Sequence, residues 1–244
     1  MRNLLKKYLR IYDTFFFLAQ TVRGYLKCKL TPAEFGPLPN VRAKVKFHIR
    51  GEAVFGRNFT ALGDAADVRI SVADGGRLTV GDQVAVNYGV NIDVWHEVRI
   101  GNRVMIAPYV SIVDDNRHEV EPGSPLYSGP TVIGDNVWIT ANVTILPGVT
   151  IGSGSVIGGH SVVSRDIPPN SFAAGSPARV IRTLNVPDGW SHRFGYERNS
   201  PPGGLLASVR RAFASDPNAA IAEADAVAVT VNGGEAGRDH EVVG

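Results

Sequence analysis

The sequence predicts a mainly β protein built as a parallel β-helix, with an N-terminal helix ahead of it and a short helical segment behind. Three observations carry this. From Ile133 the chain reads in sixes, "IGDNVW", "ITANVT", "ILPGVT", "IGSGSV", "IGGHSV", "VSRDIP", with an aliphatic residue first and Val, Ser or Ile fifth. That period matches neither a 3.6-residue helix nor a two-residue strand alternation. The same pattern recurs upstream in "VGDQVA" (80–85), "VNYGVN" (86–91), "IGNRVM" (100–105) and "IAPYVS" (106–111). A coil with triangular turns satisfies all three. Each turn has three six-residue faces, the first residue of every six points inward, and small residues allow the corners. A β-sandwich would alternate, but it would not hold one phase through six units.

Composition sets the limits. The 244 residues suffice for one substantial domain with appendages. Hydrophobic content of 44% and charged content of 20% are ordinary for a soluble globular protein. The single cysteine, Cys28, excludes an internal disulfide framework and a Cys-rich metal site, and fits a reducing, cytoplasmic setting. A net charge of +2 gives no reason to expect nucleic acid.

Residues 1–50 are expected to be a helical segment and a lead-in. Leu4, Leu5, Tyr8, Leu9, Tyr12, Phe16 and Ala19 recur at helical spacing. The longest apolar run there, Phe15 to Ala19, is too short to cross a bilayer, and Asp13 interrupts what would be a signal core. Residues 1–29 carry seven basic side chains against Asp13 alone. The expectation is an amphipathic helix packed on its own domain. The alternative is a basic helix lying peripherally on the inner face of an anionic membrane.

The coil itself is expected over 51–184. Its phase slips by two between Ile92 and Ile100, in "VNIDVWHEVRIG", and then breaks after Ile112. The step from Ile112 to Ile133 is 21 residues, read as one 18-residue turn plus three, so 113–132 is an excursion loop. A continuous stack offers no pocket, and reactive residues usually sit on loops held by a rigid scaffold. Within the loop His118 is the side chain whose ordinary pKa suits proton transfer near neutrality. Its bland reading is a loop histidine bonded to Asp114 or Asp115. His96 is expected at a solvent-facing coil corner, the alternative being a place lining the same cleft as His118. His160 is expected at a solvent-facing corner, and His48, His192 and His240 outside the coil and solvated. A metal site from His96, His118 and the nearby aspartates lacks a recognisable ligand spacing, so no metal is expected. Beyond the coil, 185–213 is an extension with a short docking helix at 204–213. Residues 214–244, six acidic against Arg238, read as a disordered acidic tail.

The hexads, together with "DIPPNSFAAGSPARVIR" (166–182), resemble the hexapeptide-repeat acyltransferase superfamily over roughly 78–184. The likeness is strongest to the maltose and galactoside O-acetyltransferase branch and its polysaccharide-modifying relatives. The resemblance implies a left-handed coil, acetyl-CoA or another acyl-CoA as co-substrate, and a sugar or glycan hydroxyl as acceptor. It implies that His118 is the general base, although this loop is one residue longer than the pattern. It also implies that Asn87 holds the acceptor, the alternative being an asparagine stacked at a coil corner, with Asp93, Trp95 and Asp115 lining the same cleft. Ala141, Gly159, Ser164, Arg165, Arg179 and Arg182 fall at its CoA-contacting positions, with the arginines suited to phosphate. Homotrimers with active sites between subunits are implied as well. A second class stays open at this point: a non-catalytic β-helix, either a scaffold or a metal-binding relative of the γ-carbonic-anhydrase type.

Overall fold

The structure is a computed structural model that describes residue 19 and residues 22–42, 44–119, 121–186 and 190–192. The apolar residues at 4–16, the helix expected at 204–213, the tail at 214–244 and His240 lie outside the described residues.

The described chain winds through six turns of a parallel β-helix. The first face carries Glu34–Phe35, Glu52–Phe55, Arg77–Val80, Glu97–Ile100, Thr131–Ile133 and Thr150–Ile151. The second carries Asn40–Val41, Thr60–Ala61, Ala85–Val86, Met105–Ile106, Trp138–Ile139 and Val156–Ile157. The third carries Val45–Ile49, Val68–Val72, Asn91–Val94, Ser111–Val113, Thr144–Ile145 and Val162–Val163. Ser171–Gly175 then adds to the second face in parallel, and Ala178–Thr183 closes that sheet antiparallel.

The repeat of six explains the core. Ile133, Ile139, Ile145, Ile151, Ile157 and Val163 are all buried, and each first position pairs with its equivalent one turn away, as Ile133 does with Ile151. The fifth positions Val137, Val143, Val149, Ser155, Ser161 and Ile167 are buried too. Burying each stacked Ile stabilises the coil by roughly 1.5–3 kcal/mol. The fourth positions turn the corners with positive φ: Asn136 (54°), Asn142 (59°), Gly148 (74°), Gly154 (72°) and His160 (58°). Asn and Gly adopt this conformation readily, which accounts for their place in the pattern.

Three expectations need correction. The coil starts before residue 51, because Glu34–Ile49 is already a complete turn paired in parallel with the next. No hexads mark it, since Phe35, Phe47, Phe55 and Phe59 form an aromatic cluster in place of stacked aliphatics. His48 therefore lies on a coil strand, exposed on the third face. The excursion is also not a turn plus three. It runs over 114–130, between Ser111–Val113 and Thr131–Ile133, and the 21-residue step from Ile112 to Ile133 is one step between faces. Ile100 pairs with Ile133, a turn of 33 residues, where Ile133 pairs with Ile151 after 18, so a single corner has been replaced. Finally, His192 is half-buried: its backbone N–H donates to Asn136 Oδ1 at 3.0 Å and Trp190 packs edge-on at 4.3 Å between centroids.

A helix over residues 22–30 covers the first turn. Gly24 and Cys28 face the coil; a Cβ at Gly24 would collide with the Val41 carbonyl, and Cys28 belongs to the core. Lys27 Nζ donates to the Val45 carbonyl at 2.7 Å. Burial pushes the Cys28 thiol up to about 11, so it stays protonated and unreactive.

Candidate active site

The corner between the third and first faces builds the excursion loop. The two-residue slip falls at Trp95 and His96, between Asn91–Val94 and Glu97–Ile100. One turn further on, Asp114 opens the excursion with a fully buried carboxylate. Its Oδ1 accepts the Trp95 N–H and its Oδ2 the His96 N–H, both at 2.8 Å. The loop then folds back on itself: Asp115 bridges Ser128, the Asn116 N–H donates to the Tyr127 carbonyl at 3.1 Å, and the Tyr127 N–H to Asn116 Oδ1 at 3.1 Å. The Gly129 N–H returns to the Asp114 carbonyl at 3.0 Å. The excursion is thus a tied hairpin-like projection on a rigid edge.

His118 stands exposed on that projection. Neither neighbouring carboxylate serves it. Asp114 is occupied by the two backbone amides, while Asp115 takes His96 Nε2 at 2.7 Å and the Arg117 N–H at 2.5 Å. The bland reading of His118 therefore finds its two named partners engaged elsewhere. Arg117, one residue before it, lays its guanidinium 3.7 Å from the centre of the Trp95 ring. The Trp95 Nε1–H is buried and has no acceptor among the described residues.

Trp95 and Asp93 line a furrow of about 540 Å³ on the third face. It runs past Ser71 and His48 to Arg50 and Pro32, because His48, Ser71 and Asp93 are registered on successive turns. The volume is in the range of small-molecule sites. Trp95, Asp93 and Asp115 are therefore brought together with the loop of His118.

Asn87 is not. It sits where the chain passes from the second face to the third, with its Oδ1 accepting the Tyr88 N–H at 2.9 Å. That edge holds a second set. The N–H groups of Asn87, Ala107, Thr140 and Gly158 each donate to the next turn, at Ile106, Ile139, Ile157 and Ala173, so these residues stack in a row. Ala141 and Gly159 flank the row; a Cβ at Gly159 would press on the Ala141 carbonyl at 3.3 Å. Arg179 pairs with Ala174 at the end of this edge, and Arg182 lies 5.7 Å over the Phe172 ring on the same closing hairpin. Both arginines are exposed. Ser164 and Arg165 instead follow Val163 at the edge of the excursion loop. The cofactor candidates are thus split between two edges of one chain.

Sequence reasoning missed several contributors. The His96–Asp115 pair and the Asp114 clamp depend on residues eighteen or nineteen apart meeting on adjacent turns, and the two-residue slip between them hides that register. Tyr88 and Tyr109 form an edge-on pair 5.6 Å apart beside Asn87, and Tyr109 is exposed; their place at stacked corners was the available signal. Among the described residues, no group of three His, Cys, Asp or Glu side chains is placed to hold a metal.

Comparison with known proteins bears on the fold and the family. Residues 130–165 match the family model "Bacterial transferase hexapeptide (six repeats)". The galactoside O-acetyltransferase of Escherichia coli (strain K12) is 41% identical over 142 residues, 56% of this chain and 70% of that protein. The galactoside O-acetyltransferase of Lactococcus lactis subsp. lactis (strain IL1403) is 37% identical over 112 residues, 44% of this chain and 54% of that protein. Among solved structures, an N-acyltransferase from Bacillus cereus in complex with dTDP and coenzyme A superposes with a TM-score of 0.54 at 18% identity. It covers 66% of this chain and 88% of that one, and supports the fold. Given the stacked hexads and the identity held across most of the Escherichia coli enzyme, the chain belongs to the hexapeptide-repeat acetyltransferase family.

Proposed function

We propose that this acetyltransferase moves the acetyl group of acetyl-CoA to a hydroxyl of a sugar or glycan, with His118 as general base. The observation that carries the reading is one exposed imidazole on the tied excursion, next to Arg117, whose guanidinium lies over Trp95, a residue that lines the furrow with Asp93. In the reaction the acceptor oxygen attacks the thioester carbonyl as His118 takes its proton. The carbon–sulfur bond then breaks, the CoA thiolate leaves, and the proton held by the imidazole passes to it. Asp93 and Trp95 suit a sugar, one as hydrogen-bond acceptor for ring hydroxyls and the other as an apolar plate. Ala141 and Gly159 leave the backbone open for the pantetheine arm, and Arg179 and Arg182 offer guanidinium groups to the phosphates.

His118 and the row carrying Asn87, Ala141 and Gly159 occupy different edges of the same prism. We infer that copies pack side by side as a trimer, so that the loop of one faces the row of the next. An active-site complementation assay tests this with acetyl-CoA and a panel of sugars and glycans. His118→Ala and Asn87→Ala proteins should each be slow alone. Mixed and reassembled, they should regain turnover, because some interfaces then hold both intact residues. A mixture no faster than its parts would contradict the shared site, and no acetyl transfer to any hydroxyl acceptor would contradict the activity.

A further inference from the structure

The helix over residues 22–30 has a second face that the coil does not use. Gly24 and Cys28 point inward, so Val22, Leu26 and Leu30, spaced by four, point the other way with Tyr25 beside them. These four are 50%, 54%, 85% and 49% exposed. Together with Ala19 and the stems of Arg23 and Lys27 they line an apolar groove of about 730 Å³. A row of large apolar side chains this exposed, in nine residues, marks an interaction surface.

We propose that this end of the coil docks on an anionic lipid surface. The groove is flanked by cations: Arg23 and Lys29 are exposed, and Lys29 lies 5.7 Å from the Tyr25 ring centre. Apolar side chains between basic ones, on a short helix, are the pattern of a helix lying in the headgroup region. No helix among the described residues is long and apolar enough to cross a membrane, so the contact is peripheral.

Two geometric arguments favour lipid over a second copy of the chain. Side-by-side packing of prisms covers their faces, whereas this helix covers the first turn at the end of the coil. An end-to-end contact between two copies would set the same cations against each other, a repulsion that an anionic bilayer converts to attraction. In side-by-side copies the helices would share one end of the assembly, and several weak anchors would act together.

Co-sedimentation of the full chain with phosphatidylcholine vesicles, with and without phosphatidylglycerol, tests the proposal. The protein should pellet with the anionic vesicles and partition roughly tenfold less onto neutral ones. Leu26→Glu combined with Leu30→Glu should abolish pelleting while melting and mass in solution stay as in the wild type. Arg23→Glu combined with Lys29→Glu, which keeps the apolar row, should weaken partition onto anionic vesicles by roughly thirtyfold or more. Failure of the wild type to pellet on anionic vesicles would overturn the proposal, as would wild-type pelleting by the Leu26→Glu, Leu30→Glu protein. A fall in assembly mass in that variant would assign the face to contact between copies and overturn it too.

Discussion

The buried carboxylate of Asp114 accepts the backbone N–H of Trp95 at 2.8 Å, one turn away, and this contact fastens the excursion that carries His118 to the coil. Its other oxygen takes the His96 N–H, so one side chain satisfies both amides of the slipped corner. Asp114→Ala should therefore cost about 3 kcal/mol, since two hydrogen bonds to a charged acceptor are lost inside the protein. Asp114→Asn, keeping one acceptor, should cost less. Denaturant unfolding measures both, and an unshifted midpoint in the Ala variant would contradict the clamp.

The stack makes a harsher prediction. Ile145 and Ile151 are 0% exposed, and Ile145 meets Ile112 and Val163 on either side. Replacing either with Asp places an unpaired charge among aliphatic side chains, so the protein should unfold or aggregate. A soluble variant with unchanged melting would refute the inward assignment of the hexads.

Where the chain keeps time, the sequence was sufficient. Ile133 to Ile167 set the phase, and the burial of first and fifth positions follows from it residue by residue. The first turn was illegible because Phe35, Phe47, Phe55 and Phe59 pack as a cluster, and clustering leaves no period. His118 could be singled out as a candidate because it sits in the largest break. The partners of Asp114 and Asp115 could not, because contacts between adjacent turns depend on the length of each turn, and those lengths vary at the corners. The burial of His192 was hidden for the same reason. Its partner Asn136 is 56 residues away, at a corner whose sequence only requires positive φ.

His192 should leave a mark on stability. Burial holds its imidazole below the ordinary value of 6.5, with the Gly154 carbonyl opposing. As pH falls through that value the unfolded chain takes up a proton that the folded ring resists, so the unfolded state gains. The contribution is fully present above the ordinary value and is lost below it, until the folded ring also titrates. His192→Gln removes this dependence. The stability gap between wild type and variant should therefore shift toward the variant on acidification, and parallel curves would contradict the account.

Arg179 and Arg182 stand exposed on the closing hairpin and are the residues proposed to hold the CoA phosphates. Changed together to Ala, they should raise the KM for acetyl-CoA more than they lower kcat, because phosphate contacts bind ground state and transition state alike. Calorimetry of CoA binding checks the same point independently. An unchanged affinity would move the phosphates elsewhere, with Arg165 at the opposite edge the next residue to examine.

The most direct test of the account is turnover of the His118→Ala protein on an acceptor that the wild type acetylates. If His118 removes the acceptor proton, kcat should fall by roughly 10²–10⁴-fold, the usual worth of a positioned general base. CoA affinity and melting should hold, since the side chain is exposed and the loop is tied by Asp114, Asn116 and Tyr127. His96→Ala, which breaks only the pair with Asp115, should cost far less. Turnover within a few-fold of wild type in His118→Ala, or a greater loss in His96→Ala, would contradict the assignment of the base.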